Sequence, residues 1–78
     1  MNNVNSIAKT NVIKIIKEAK CRYENDELGM VVFLEERARE CVNRANTYSD
    51  ALIKKLNLLI ARELVRVRER LLEVTLSL

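Results

Sequence analysis

No histidine, proline or tryptophan occurs among the 78 residues, and Gly29 is the sole glycine. Without an imidazole there is no Ser-His or Cys-His dyad and no imidazole base, so the familiar nucleophilic chemistries have nothing to work with. Two cysteines without a histidine do not complete a tetrahedral zinc site in one chain. No metal or cofactor is therefore expected, and the chain does not read as an enzyme. Sheets and long ordered loops draw on Gly and Pro for their turns, so the scarcity of both points to an all-α fold. Aromatics are limited to Tyr23, Phe33 and Tyr48, too few to build a stacking platform for single-stranded nucleic acid. The longest unbroken apolar run covers residues 30–34, far short of a bilayer span. Residues 1–6 lack the apolar run of a signal peptide. The expected location is cytoplasmic, with Cys21 and Cys41 as reduced thiols.

What is present is aliphatic and periodic. Apolar residues make up 49% of the chain, which argues against disorder. Three segments emerge, roughly 4–23, 27–46 and 50–77, within one domain spanning residues 1–78. In the first, Ala8, Val12, Ile15, Ile16, Ala19 and Tyr23 form one helical stripe. Asn5 or Ser6 is placed to cap its start. Residues 24–26 form the turn, because Asn25 tolerates the left-handed conformation and Asp26 can cap the second helix. In the second segment Val31, Leu34, Ala38, Cys41, Ala45, Tyr48 and Leu52 alternate by three and four. The small residues at 38, 41 and 45 admit a close neighbour. Glu35–Arg39 and Glu40–Arg44 are spaced for i,i+4 ion pairs.

Continuing the second stripe beyond Leu52 meets Lys55, Leu59, Arg62, Arg66, Glu69 and Glu73, nearly all charged. A new stripe starts out of phase at Ile53. The chain must therefore break near residues 46–50, with Ser49 or Asp50 capping a third helix.

That third segment carries the strongest pattern. Ile60, Leu64, Val67, Leu71, Val74 and Leu78 recur at alternating spacings of four and three, the period with which one helix buries a face against another. In heptad terms Leu64, Leu71 and Leu78 occupy a, and Ile53, Ile60, Val67 and Val74 occupy d. Leucine at a with β-branched residues at d suits higher-order packing over a parallel dimer. Asn57 falls at the preceding a position, where a buried polar residue fixes register; the stripe widened by Leu52, Leu56 and Leu59 equally suits a bundle with Asn57 at its rim. At ~1.5 Å per residue the third helix would be about 42 Å long against about 30 Å for the others. About two turns, holding Leu71, Leu72, Val74, Leu76 and Leu78, would then extend beyond the bundle.

Charge divides along the same lines. Residues 1–23 hold five Lys/Arg against Glu18, residues 24–50 hold three against seven acids, and residues 51–78 hold six against three. An acidic segment between two basic ones suits a bundle whose middle helix touches both others. Lys54, Lys55, Arg62, Arg66 and Arg70 could track nucleic-acid phosphates. Glu63, Glu69 and Glu73 interrupt that row, and Arg66–Glu69 and Arg70–Glu73 are spaced to pair internally. Glu36 and Glu40, one turn apart among Arg37, Arg39 and Arg44, read as a solvated face instead of paired catalytic carboxylates. The basic first helix lacks the large apolar residues that membrane-surface anchors favour.

The sequence thus implies a three-helix antiparallel bundle, a helical hairpin followed by a longer C-terminal helix. Its expected role is a small protein–protein interaction module, an adaptor, co-chaperone or inhibitor. Leu64, Val67, Leu71, Leu72, Val74, Leu76 and Leu78 would bind a partner protein or a second copy. The alternative is nucleic-acid binding through Lys54, Lys55, Arg62, Arg66 and Arg70. In size and layout the chain resembles the small helical chaperones of bacterial secretion systems and phage-encoded inhibitors of host proteins. The likeness is one of class, with no shared motif.

Overall fold

A computed structural model describes residues 3–76. Three helices run in order: α1 (Val4–Arg22), α2 (Glu27–Thr47) and α3 (Ala51–Leu76). They pack as an all-α bundle, and no strand occurs among the described residues. The expected end at residue 77 and the side chain of Leu78 lie outside the described residues.

Both breaks follow from local chemistry. Asn25 adopts φ 65°, the left-handed conformation that an Asn accepts more readily than a branched residue. One residue on, the Asp26 carboxylate accepts the Gly29 backbone N–H at 2.9 Å and starts α2. Residues 48–50 are non-helical. The Asp50 carboxylate accepts the Leu52 N–H at 2.8 Å and, more weakly, that of Ile53 at 3.4 Å, opening α3. Because the chain turns here, Tyr48 and Leu52 leave the buried stripe of α2 and are exposed.

The start of α1 falls where expected, but its capping differs. The helix begins at Val4, so Asn5 and Ser6 lie in its first turn and do not cap it. Asn3 occupies the cap position without a side-chain bond. The Ser6 carbonyl instead accepts the Thr10 hydroxyl at 3.0 Å.

The core is built from Ala8, Val12 and Ala19 of α1, Phe33, Leu34, Ala38 and Cys41 of α2, and Ile60, Ala61 and Leu64 of α3. Ala38, Cys41 and Ala45 are all buried, and the α2–α3 contact is the most extensive of the three. Small side chains let two backbones approach, and the larger residues of α3 fill the space between them. The α1–α3 contact is smaller and the α1–α2 contact smallest: the acidic middle helix touches both others, as expected, but α1 rests more on α3 than on α2. The physical reason is side-chain size, since the broad aliphatic face of α3 offers more area than charge pairing supplies.

Ion pairs also differ from those expected. Glu35 turns away from Arg39 and lies 3.8 Å from Arg68 of α3. Glu40 approaches Arg37 at 3.9 Å instead of Arg44. Arg66 turns to Glu63 at 3.5 Å instead of Glu69. Asn57 is buried, and its Nδ2 donates to the Ile53 carbonyl at 2.9 Å. It is satisfied within its own helix, so it neither bonds across the bundle nor sits at a rim.

Candidate functional site

The residues expected to bind a partner divide into two groups. Leu64 has 0% exposure and is the largest fully enclosed side chain in the core. Val67 and Leu71 are half-buried and pack on that core. These three hold the bundle together and support the surface from beneath. Leu72 is half-buried, whereas Val74 is 60% and Leu76 81% exposed. The overhang of α3 thus begins about one turn later than its length suggested. An antiparallel hairpin sets the start of α2 beside this end, and there Leu28 is 64% and Val32 54% exposed. Large apolar side chains from both helices meet water at one end of the molecule.

This apolar end continues along the α2–α3 seam as a second stripe, one not expected from the sequence. On α2, Leu28, Val32, Glu35, Arg39 and Val42 recur at spacings of four and three. Leu58, Ala61, Val65, Arg68 and Leu72 do the same on α3. Val42, Leu58 and Val65 are exposed. The 3.8 Å approach of Glu35 and Arg68 shows that the two flanks adjoin. Arg68 Nε is buried without a hydrogen-bond partner, so this guanidinium is incompletely satisfied. The stripe is visible as a heptad pattern in principle. Its charged centre, Glu35 and Arg39, looks like an ordinary surface ion pair and hides it.

The basic residues are arranged differently. Lys54, Lys55, Arg62, Arg66 and Arg70 lie along α3, with Lys54, Lys55, Arg62, Arg66 and Arg70 all exposed. At 100° per residue Lys55, Arg62, Arg66 and Arg70 share one face, while Lys54 points about a quarter-turn away. Glu69 and Glu73 project into the same sector, and Arg66 is drawn to Glu63. Lys54, Lys55 and Arg62 border a shallow hollow floored by Leu58 and Leu59.

Elsewhere the chemistry is structural. Phe33 carries the guanidinium of Arg37 at 5.0 Å and that of Arg22 at 5.5 Å, with the Tyr23 ring 5.7 Å away. Arg37 Nη2 also reaches both Glu18 carboxylate oxygens, at 3.0 and 3.1 Å, and so ties α2 to α1. Burial pushes the Cys41 thiol above its ordinary pKa, against the pull of nearby Arg44, and keeps it protonated at neutral pH. Cys21 is exposed, and both thiols are free. An apolar groove of about 400 Å³ runs between α1 and α3, lined by Ala8, Val12, Ile13 and Leu59 with Lys9 and Glu63 at its edges. Among the described residues no cluster of three or more His, Cys, Asp or Glu could hold a metal ion, and no helix is long and apolar enough to cross a membrane.

No protein-family model matches the chain, and no curated protein or solved structure is detectably similar to it. The functional reading therefore rests on this geometry.

Proposed function

We propose that the chain is a small helical protein–protein interaction module, an adaptor, co-chaperone or inhibitor. It docks through the apolar surface at the C-terminal end of α3 and acts by shape and apolar complementarity, with no bond chemistry. The observation that carries this reading is the exposure of Leu76, one turn beyond half-buried Leu72 on the same side of α3, at the end of the molecule where Leu28 and Val32 of α2 are also exposed; Val74 adds exposed apolar surface on the other side of α3. Burying one such side chain contributes roughly 1.5–3 kcal/mol, so a handful suffices for a specific contact.

Leu76→Asp tests the reading with little effect on the fold, because that side chain touches little of the core. Association measured by sedimentation or by capture on the immobilised chain is expected to survive a rise from about 0.1 to about 0.5 M salt. It is expected to fall more than about tenfold in the Asp variant. Association unchanged by Leu76→Asp would overturn the proposal.

One observation supports a second reading. Lys55, Arg62, Arg66 and Arg70 share an exposed face, which suits phosphate contacts of a nucleic acid. Binding of that kind falls steeply with salt and is abolished by charge reversal at Arg62 and Arg66, with Leu76→Asp leaving it intact.

A further inference from the structure

The stripe on α2 has an internal symmetry. Val32 and Val42 lie five residues to either side of residue 37, and Glu35 and Arg39 lie two residues to either side. Val32 is thus matched with Val42 across that midpoint and an acid with a base, while Leu28 at the end of the stripe would meet Asn46. This is the pattern a two-fold axis requires, because an isologous interface presents the same patch twice. Antiparallel packing of α2 on the α2 of another copy would bring Val32 against the partner's Val42 and Glu35 against the partner's Arg39. The heptad spacing agrees, since antiparallel helices set an a position of one strand opposite a d position of the other.

Two features of the single chain fit the same arrangement. Arg39 is exposed and takes part in no ion pair among the described residues, although Glu35 and Glu36 lie within one turn. Glu35 has only the long contact to Arg68 and remains 40% exposed. Opposite charges with unspent capacity therefore sit at the two places where the axis would join them. Beside them Leu58, Val65 and Leu72 on α3, seven residues apart, add an apolar row along the same face. A register with its axis at residue 35 or 39 would set like charges face to face, so the pair disfavours those alignments.

We infer that the occupant of the α2–α3 face is a second copy of this chain, docked antiparallel about an axis at the level of residue 37. The inference goes beyond the docking proposed at the C-terminal end of α3, since it concerns the adjoining α2–α3 face and names its partner. The face is about 21 Å long and two helices, roughly 20 Å, wide, so the interface is small. An interface of that size belongs with weak, transient associations.

Sedimentation equilibrium of the full chain between about 1 and 300 μM tests this, a range chosen to bracket weak interfaces. The parent is expected to dimerise. Arg39→Glu sets two carboxylates face to face across the axis, and Glu35→Arg sets two guanidinium groups face to face. Each single variant is expected to dissociate at least about tenfold more readily. The double variant Glu35→Arg/Arg39→Glu is expected to return to within about threefold of the parent, as a swapped ion pair should. An equimolar mixture of the two single variants is expected to form a heterodimer, because each supplies the sign that the other lacks. Circular dichroism melts at low concentration establish that each variant folds.

A parent that stays monomeric overturns the inference, as does a dimer indifferent to the single changes or singles that fail to complement on mixing. None of these outcomes bears on docking of a different protein. That reading fails instead if Leu76→Asp leaves capture of a different protein on the immobilised chain unchanged, a readout to which the α2 dimer does not contribute.

Discussion

Gly29 and Cys41 show how one residue can carry a constraint that composition hides. Alanine in place of a helical glycine ordinarily adds about 1 kcal/mol of stability. At Gly29 an added Cβ would stand 2.5 Å from Asp26 Oδ2 and 2.6 Å from Tyr23 Cδ1. Both must give: the capping carboxylate moves, at a cost of ~1 kcal/mol, and the Tyr23 ring shifts from Phe33, an aromatic pair worth ~0.5–1.5 kcal/mol. Gly29→Ala is therefore expected to lower stability by about 1 kcal/mol in a urea titration, and a gain would show that the ring and cap yield freely. Cys41 gives a pH signature. Burial raises its thiol pKa above the ordinary 9.0, so the folded chain keeps a proton that the unfolded chain gives up. Stability is full below pH 9.0 and declines as pH rises through that value toward the raised one. The decline relative to Cys41→Ala, measured by denaturant midpoints, isolates the contribution of this thiol. A thiol reagent should modify Cys21 rapidly and Cys41 only as the bundle opens.

Helices are the scale at which the sequence was most readable. Asn25, Asp26 and Asp50 marked both breaks because their short polar side chains act on the adjacent backbone, and such local chemistry is written locally. The out-of-phase stripes told α2 from α3 without any Gly or Pro at the junction. The start of α1 was read correctly, but its cap was misjudged because Asn3, Asn5 and Ser6 are chemically interchangeable as caps. Ion pairs were misjudged for a different reason. Glu35 had two cations in reach, Arg39 along its helix and Arg68 across the groove, and only the packed bundle decides between them. The link between Glu18 and Arg37 was likewise invisible, being nineteen residues apart in sequence. A single nitrogen, Arg37 Nη2, donates to both carboxylate oxygens and holds α1 to α2 where apolar contact is least. With both side chains about one-third exposed, a double-mutant cycle of Glu18→Gln and Arg37→Met is expected to give a coupling of ~0.5–1 kcal/mol, shrinking as salt is raised. A coupling near zero would mean that the cation over Phe33, and not the ion pair, is what Arg37 contributes.

At the scale of the whole molecule the three helices are unequal, and the inequality has a dynamic consequence. The α2–α3 pair carries the broadest contact and the fully enclosed Leu64. Helix α1 buries mostly small residues, Ala8, Val12 and Ala19, and leaves Ile7 and Ile13 exposed. The groove beside Ala8 and Val12 removes further contact along its first half. Apolar area, more than hydrogen bonding, sets how tightly a helix is held, because its internal backbone bonds exist whether or not it is docked. A 19-residue helix with one weak face and no N-terminal side-chain cap is therefore the element most ready to open. Native-state amide exchange is expected to show α1 amides exchanging through a sub-global opening of lower free energy, with Ile60, Ala61 and Leu64 of α3 protected up to the global limit. Leu64→Ala, costing about 2–5 kcal/mol, should lower the protection of α2 and α3 together. The lower-energy opening of α1 should persist in that variant for as long as its free energy stays below the new global limit. Uniform protection across all three helices would mean that the ion pair at Glu18 and the cation contacts on Phe33 bind α1 as firmly as the aliphatic core binds the other two.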